Sequence, residues 1–253
     1  MVAISNFLME KDFGHLVLVR HGQSESNLAG YYAGWIDCDL TAKGINDAKF
    51  AASLLRAENI EFDFAYSSYL KRAIRTKWTI LDELDQMYIP TLATWRLNEC
   101  HCGNFTGLTQ KQMIEKYGFS TFHNWREGFT VPPPLLSSDN SLAPIWDPHY
   151  SNLDPSVLPL GESLEMAWKR LLPFWLDIVM KNIIDGKNVL VVTHGNIIRA
   201  IMKFVEKADQ MEKKVMANGY PIVYTFQREK LVGKKILGNK EEREAAAMTS
   251  QII

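Results

Sequence analysis

Five short runs rich in β-branched and aliphatic residues alternate with longer segments of helical periodicity: His15 to Arg20, Asp63 to Ser68, Thr91 to Trp95, Asn188 to Thr193 and Pro221 to Gln227. Such alternation marks βαβ units around a largely parallel sheet, so the chain is predicted to be α/β, with helices in layers on both faces of a mostly parallel central sheet. Between the runs, Ala42 to Glu58 places Ile45, Ala48, Ala52 and Leu55 on one helical face, with Thr41 as N-cap. Leu70 to Leu84 does likewise through Ile74, Trp78 and Leu81. Ser163 to Met180 is a third apolar helix, which Pro173 should kink or split.

The periodicity dissolves over residues 128–160, where most of the chain's 10 prolines fall. A loop this long inside a compact domain usually covers a site, so it reads as an irregular capping excursion within a single domain of residues 1–253. Residues 233–253 read as a C-terminal tail, a flap or a frayed helix, and Met1 to Gly14 as a loosely ordered extension. A net charge of -1 argues against broad attraction to nucleic acid or anionic membranes, so any anion site must be a local cluster. Cys38, Cys100 and Cys102 are few and odd in number, which suits free thiols and a cytoplasmic location. No stretch is apolar enough to span a bilayer.

Ionisable groups collect just beyond the predicted strands: Arg20 and His21, Arg72, Glu99 and His101, and His194. Ligands of open α/β sheets bind outside the carboxyl ends of the strands, so these residues can meet, although polar residues also end strands for no functional reason. Two imidazoles beside Arg20 and Arg72 suit a phosphoryl group, whose oxygens match guanidinium forks. One neutral imidazole can act as nucleophile while the second stabilises the pentacoordinate phosphorus. The Gly that follows each of these histidines lets a ligand approach the backbone. Glu99 can serve as general acid and base, its bland alternative being a structural salt bridge. A metal site from Cys100, His101 and Cys102 is disfavoured, because alternation along an extended segment turns His101 away from both thiols.

The series Leu18-Val19-Arg20-His21-Gly22-Gln23-Ser24-Glu25-Ser26-Asn27, Gly34-Trp35, Lys71-Arg72-Ala73, Leu97-Asn98-Glu99, Val131-Pro132-Pro133-Pro134, Gly161-Glu162-Ser163-Leu164 and His194-Gly195-Asn196 resembles the cofactor-dependent phosphoglycerate mutases of the histidine phosphatase superfamily. The resemblance implies phosphorylation at His21, a phosphate pocket completed by Arg20, Arg72 and His194, and Glu99 as proton donor and acceptor. It also implies substrate contacts from Ser24, Asn27, Ala33, Gly34, Arg126 and Asn196. It further implies interconversion of 3-phosphoglycerate and 2-phosphoglycerate, 2,3-bisphosphoglycerate as primer, no metal, and a homodimer acting on a small phosphorylated substrate in glycolysis.

The outer half of the pocket departs from that family. Where the mutases have Arg-His-Tyr-Gly after Leu-Asn-Glu, this chain has Cys100, His101, Cys102 and Gly103; Gln110 replaces a Lys, Glu127 an Arg, and Ile197 a Ser. Lys111 could stand in for the Lys. Glu127 should repel an anion. These losses raise two alternatives: a phosphomonoester phosphatase using the same phosphohistidine, and a catalytically quiet paralogue that binds metabolites or partners.

Overall fold

The computed structural model describes residues 13–208 and 216–250. In chain order the elements are β1 (Phe13–Arg20), α1 (Glu25–Ala29), α2 (Ala42–Ala57), β2 (Phe64–Ser67), α3 (Lys71–Glu83), β3 (Thr91–Ala93), α4 (Gln110–Tyr117), α5 (Phe119–Glu127), α6 (Leu164–Phe174), α7 (Lys181–Ile184), β4 (Asn188–Thr193), α8 (Gly195–Val205), β5 (Ile222–Gln227), β6 (Lys230–Ile236) and α9 (Lys240–Ser250). The described residues form a six-stranded sheet in the order β3-β2-β4-β1-β5-β6. Pairing is parallel from β3 through β2 and β4 to β1, and antiparallel from β1 to β5 and from β5 to β6.

Both faces of the sheet are covered, as its central strands require. Leu16 and Leu18 of β1 turn to one face and pack with Trp168, Leu171, Ile198 and Ile201 of α6 and α8. Val17 and Val19 turn to the other, against Ala48, Ala52 and Leu55 of α2 and Ile80 and Leu81 of α3. The side-chain period of two thus sorts one strand into two cores. At about 25 cal/mol per Å² of apolar area, this double burial is the main source of stability.

Helix boundaries match the periodicity, with Thr41 capping α2 by accepting from the Gly44 amide. The buried faces differ in detail. Ile45 and Trp78 are exposed, and the inner face of α3 carries Arg72, Ala73, Thr76 and Lys77 instead. Near the cleft end of the helix, polar side chains therefore replace the expected apolar stripe. The chain stays helical beyond Pro173, passing into a π-helical turn at Trp175–Met180 before α7. A helical register shift absorbs the proline in place of a break.

The tail beginning at residue 233 is not wholly a flap. Residues 233–236 belong to β6, which pairs with β5, and α9 follows. Strand β6 escaped the sequence reading because its burial alternates only weakly and its run is rich in lysine. At the other end, Phe13 and Gly14 already belong to β1; residues 1–12 and 251–253 lie outside the described residues.

Candidate active site

The carboxyl ends of β1, β2 and β4 lie side by side, with Arg20 opposite Thr193 and Ser67 opposite Val192. The next residues, His21, Ser68 and His194, are buried at that edge. Of these, His21 lines a cleft of about 400 Å³ together with Arg20, Asn27, Ala33, Gly34, Arg72, Glu99, Arg126 and Asn196, among others, whereas Ser68 and His194 do not line it. This edge brings together residues as distant in sequence as His21 and Asn196, as the sheet rule anticipates.

The His21 ring is fixed by the contact of its Nδ1 with the Gly22 carbonyl at 2.7 Å. A carbonyl accepts only, so Nδ1 carries the hydrogen and Nε2 keeps its lone pair. Burial, then the charges of Arg72 and Arg20, hold the ring's pKa well below 6.5. His21 is therefore neutral and nucleophilic at neutral pH. The His194 ring lies 5.0 Å from it, centroid to centroid. Its Nε2 meets the Ser68 hydroxyl at 2.8 Å, and its buried Nδ1 has no partner among the described residues.

Arg72 is anchored by bonds from Nη1 to the Ile36 carbonyl and from Nη2 to the Gly34 carbonyl, both 2.9 Å. Arg20 donates from Nη1 to the Met216 carbonyl at 2.6 Å, while its buried Nε is unpartnered. Burial and the neighbouring Arg126 and Arg72 lower the Arg20 pKa to about 10, with Glu99 opposing. Among the described residues, no ion pair within 4.0 Å involves Arg20, Arg72, Arg126 or Arg199. Four guanidinium groups without a close carboxylate make this a local cluster of positive charge of the kind that a net charge of -1 left room for.

Glu99 enters the cleft on a segment that is held from behind. Its Oε1 accepts from the Cys100 amide at 2.8 Å. The buried Arg170 guanidinium donates to the carbonyls of Trp95, Arg96, Asn98 and Glu99, and is paired with Glu162 at 2.7 Å. Glu162 in turn accepts from the His101 amide. Asn98 donates to the Tyr150 hydroxyl at 2.8 Å, and Tyr150 packs with Trp35 and Trp95. Residues 128–160 thus brace the Glu99 segment. None of them lines the main cleft, whose outer wall comes from residues of α4 and α5: Gln110, Phe119, Phe122, His123, Arg126 and Glu127.

Three sequence expectations change here. Lys111 does not line the cleft; it is 85% exposed and faces Glu115. Helix α4 turns Gln110 inward, and its neighbour points elsewhere. Ser24 is buried beside the cleft as the N-cap of α1, accepting from the Asn27 amide, so it positions Asn27. Gly22 serves packing rather than ligand approach: a Cβ there would lie 2.0 Å from the Gly44 carbonyl oxygen. Gly195 does face the cleft, where a Cβ would come 3.6 Å from Arg20 Nε.

Residues 98–102 form no strand. Cys100 packs into the core under the sheet and Cys102 joins Tyr32, Phe105 and Trp125 on the cleft side, so the two thiols do not share a face. Both are free and buried, and burial pushes both thiols up from their ordinary value. Sequence reasoning missed Tyr32, Ser68 and Arg199. Arg199 was within reach, because it follows Asn196 by three residues and so shares its face of α8.

A cleft that presents a neutral, oriented imidazole among guanidinium groups without a close carboxylate has the chemistry that suits a phosphoryl group. The family model described as histidine phosphatase superfamily (branch 1) matches residues 16–141 and 140–234. A protein named 2,3-bisphosphoglycerate-dependent phosphoglycerate mutase 2, from Lactiplantibacillus plantarum, is 45% identical over 226 residues, which cover 88% of this chain and 98% of that protein. The chain belongs to the histidine phosphatase superfamily and, within it, to the cofactor-dependent phosphoglycerate mutase family. Among solved structures, a phosphoglycerate mutase from Bacillus anthracis str. Sterne shares the fold at TM-score 0.65 and 22% identity, covering 96% of this chain and 98% of that one. A mycobacterial glucosyl-3-phosphoglycerate phosphatase does so at TM-score 0.62 and 24% identity, covering 83% and 92%.

Proposed function

We propose that this chain interconverts 3-phosphoglycerate and 2-phosphoglycerate through a phosphohistidine at His21 Nε2, primed by 2,3-bisphosphoglycerate, as a glycolytic enzyme of the cytoplasm. The observation that carries the reading is the anchored His21 Nδ1, which leaves Nε2 as the nucleophile in a cleft shared with Arg20, Arg72 and Glu99, with the His194 ring packed against it. The unpartnered buried Nε of Arg20 and Nδ1 of His194 suit the oxygens of such a phosphorylated primer. In the transfer to the enzyme, the Nε2 lone pair forms the N–P bond as the ester P–O bond breaks, and Glu99 gives its proton to the leaving oxygen. In the return, the Glu99 carboxylate takes the proton of the attacking hydroxyl and the N–P bond breaks. Arg20, Arg72 and His194 hold the equatorial oxygens in both directions. Asn27, Ala33, Gly34, Arg126 and Asn196 hold the rest of the ligand, with Ser24 setting Asn27.

The test is chemical trapping. Brief exposure to labelled 2,3-bisphosphoglycerate should give an acid-labile, alkali-stable phosphoenzyme, absent in His21→Ala, whose turnover should fall by at least about 10³-fold. An unlabelled wild-type protein that still turns over would overturn the reading. We also propose a homodimer joined along the open edge of β3, where Trp78, Met87, Tyr88 and Leu92 are exposed. Sedimentation at micromolar concentration should give twice the chain mass, and a monomer contradicts it.

A further inference from the structure

Three successive backbone amides hold the turn that carries His21, and they end on acceptors of different kinds. The His21 amide donates to the Thr193 carbonyl at 3.0 Å, the Gly22 amide to the Thr76 hydroxyl at 3.0 Å, and the Gln23 amide to Asp47 Oδ2 at 2.9 Å. Neutral acceptors satisfy the first two, so a carboxylate at the third is more than the amide needs. Asp47 lies in the second turn of α2, its side chain only 13% exposed, with Oδ1 paired to Lys43 one turn back at 2.7 Å. Lys43 is well exposed, and an i, i+4 pair at the surface contributes little to stability. The helix also meets the turn at close quarters: a Cβ on Gly44 would lie 2.0 Å from the Gln23 carbonyl oxygen, which accepts from the Thr41 amide.

The Gln23 N–H and the Gly22 C=O belong to one peptide group, and in a trans peptide they point to opposite sides. On one side the N–H meets Asp47 Oδ2; on the other the carbonyl accepts from His21 Nδ1 at 2.7 Å. Carboxylate, peptide and imidazole form a chain of hydrogen bonds in which each polarises the next. We infer that Asp47 is a positioning residue for phosphoryl transfer, acting through the Gly22–Gln23 peptide to strengthen the acceptor of His21 Nδ1–H. This rests on the phosphohistidine reading above and deepens it. As the Nε2 lone pair forms the N–P bond and the ester P–O bond breaks, the ring gains positive charge while Nδ1 keeps its proton. That charge is stabilised by a carbonyl oxygen that Asp47 has made more negative. Asp47 thus does, at one peptide's remove, what a carboxylate bonded directly to the imidazole does in a catalytic triad. The Arg20 pKa, lowered chiefly by burial, is raised by Glu99 and to a smaller degree by Asp47. Loss of a negative charge near that guanidinium favours anion binding, so a variant acting through Arg20 would tighten the ligand instead of slowing the transfer.

The experiment follows single-turnover labelling of His21 by labelled 2,3-bisphosphoglycerate, over a range of donor concentrations, in the wild type, Asp47→Asn, Asp47→Ala and Asp47→Glu. Asparagine keeps the shape and can still accept from the Gln23 amide, so it removes the charge alone. Asp47→Asn and Asp47→Ala should both slow labelling at saturation about 10- to 100-fold, with the half-saturating concentration raised less than about threefold, and Asp47→Glu, which keeps the charge, should lose less than either. Asp47→Asn labelled at the wild-type rate overturns the inference, because the bond to Gln23 is then only structural. A loss that vanishes at saturation overturns it too. Absence of label from the wild type overturns the phosphohistidine reading instead. The His21 Nδ1 proton resonance of the free protein should move upfield in Asp47→Asn, while the Gly22 amide, which is bonded to Thr76, stays in place; an unmoved Nδ1 proton contradicts the relay. A readout that needs no variant is the Gln23 amide proton of the wild type, which should move downfield on phosphorylation of His21 and further than the Gly22 amide proton; the reverse order contradicts the inference.

Discussion

A single proton decides the role proposed for His21. Because Gly22 offers only a carbonyl, the hydrogen stays on Nδ1 and the nucleophilic lone pair on Nε2. In the proposed mechanism Glu99 has the complementary task, so Glu99→Gln should retain His21 phosphorylation by donors with good leaving groups but lose about 10²- to 10⁴-fold in turnover on phosphoglycerates, measured by steady-state kinetics with KM changed only a few-fold. Turnover near that of the wild type would remove Glu99 from proton transfer. The placement of these residues was legible in the sequence, since Arg20 ends a strand and His21, Arg72, Glu99 and His194 come after one. The Nδ1 contact, the part of Ser68 and the loss of Lys111 from the cleft were not, because they depend on side-chain direction rather than order along the chain.

At the scale of elements, the Arg170–Glu162 pair joins α6 to the Glu99 segment, with one guanidinium meeting four backbone carbonyls. Removing one partner of a buried, fully bonded pair typically costs about 3–5 kcal/mol, because the other charge is left uncompensated. Arg170→Met should therefore lower the urea-unfolding free energy by about that amount. Adding Glu162→Gln to it should recover part of the loss, and additive losses would contradict the coupling. Arg170→Lys, which keeps the charge but not the fork, should lower kcat more than it raises KM if the pair positions Glu99. Elements were read well where the apolar pattern was strong, as in the helical period of α2 and the continuous run of β4. They were read poorly where polar residues took buried places, as Arg72, Thr76 and Lys77 do in α3, or where lysines masked a strand, as in β6.

For the molecule as a whole, the charge is nearly balanced while its cleft is not. Three buried imidazoles, His21, His101 and His194, are kept neutral chiefly by burial, His101 with a pKa of about 4 and the others well below 6.5. Below pH 6.5 the unfolded chain takes up protons that the folded chain refuses, so stability is full above that value and is lost as the pH falls toward the folded pKa values. Each ring contributes up to ~1.4 kcal/mol per pH unit in that window. The urea midpoint should drop steeply between pH 6.5 and 5, and less so in His101→Asn; a flat midpoint contradicts the buried neutral state. The layered fold and the cleft at its strand ends followed from the alternation of strands and helices, but which residues brace the cleft and which wall it depended on the path of residues 110–160, where no periodicity guides the reading.

The most direct test of the central claim is a phosphorus NMR assay of the purified protein on 3-phosphoglycerate, with and without 2,3-bisphosphoglycerate and with His21→Ala as blank. The account predicts 2-phosphoglycerate as the main product, its rate raised by the primer, with inorganic phosphate minor and the blank silent. Inorganic phosphate without 2-phosphoglycerate, whatever the primer, would contradict it and make the protein a phosphatase built on the same histidine.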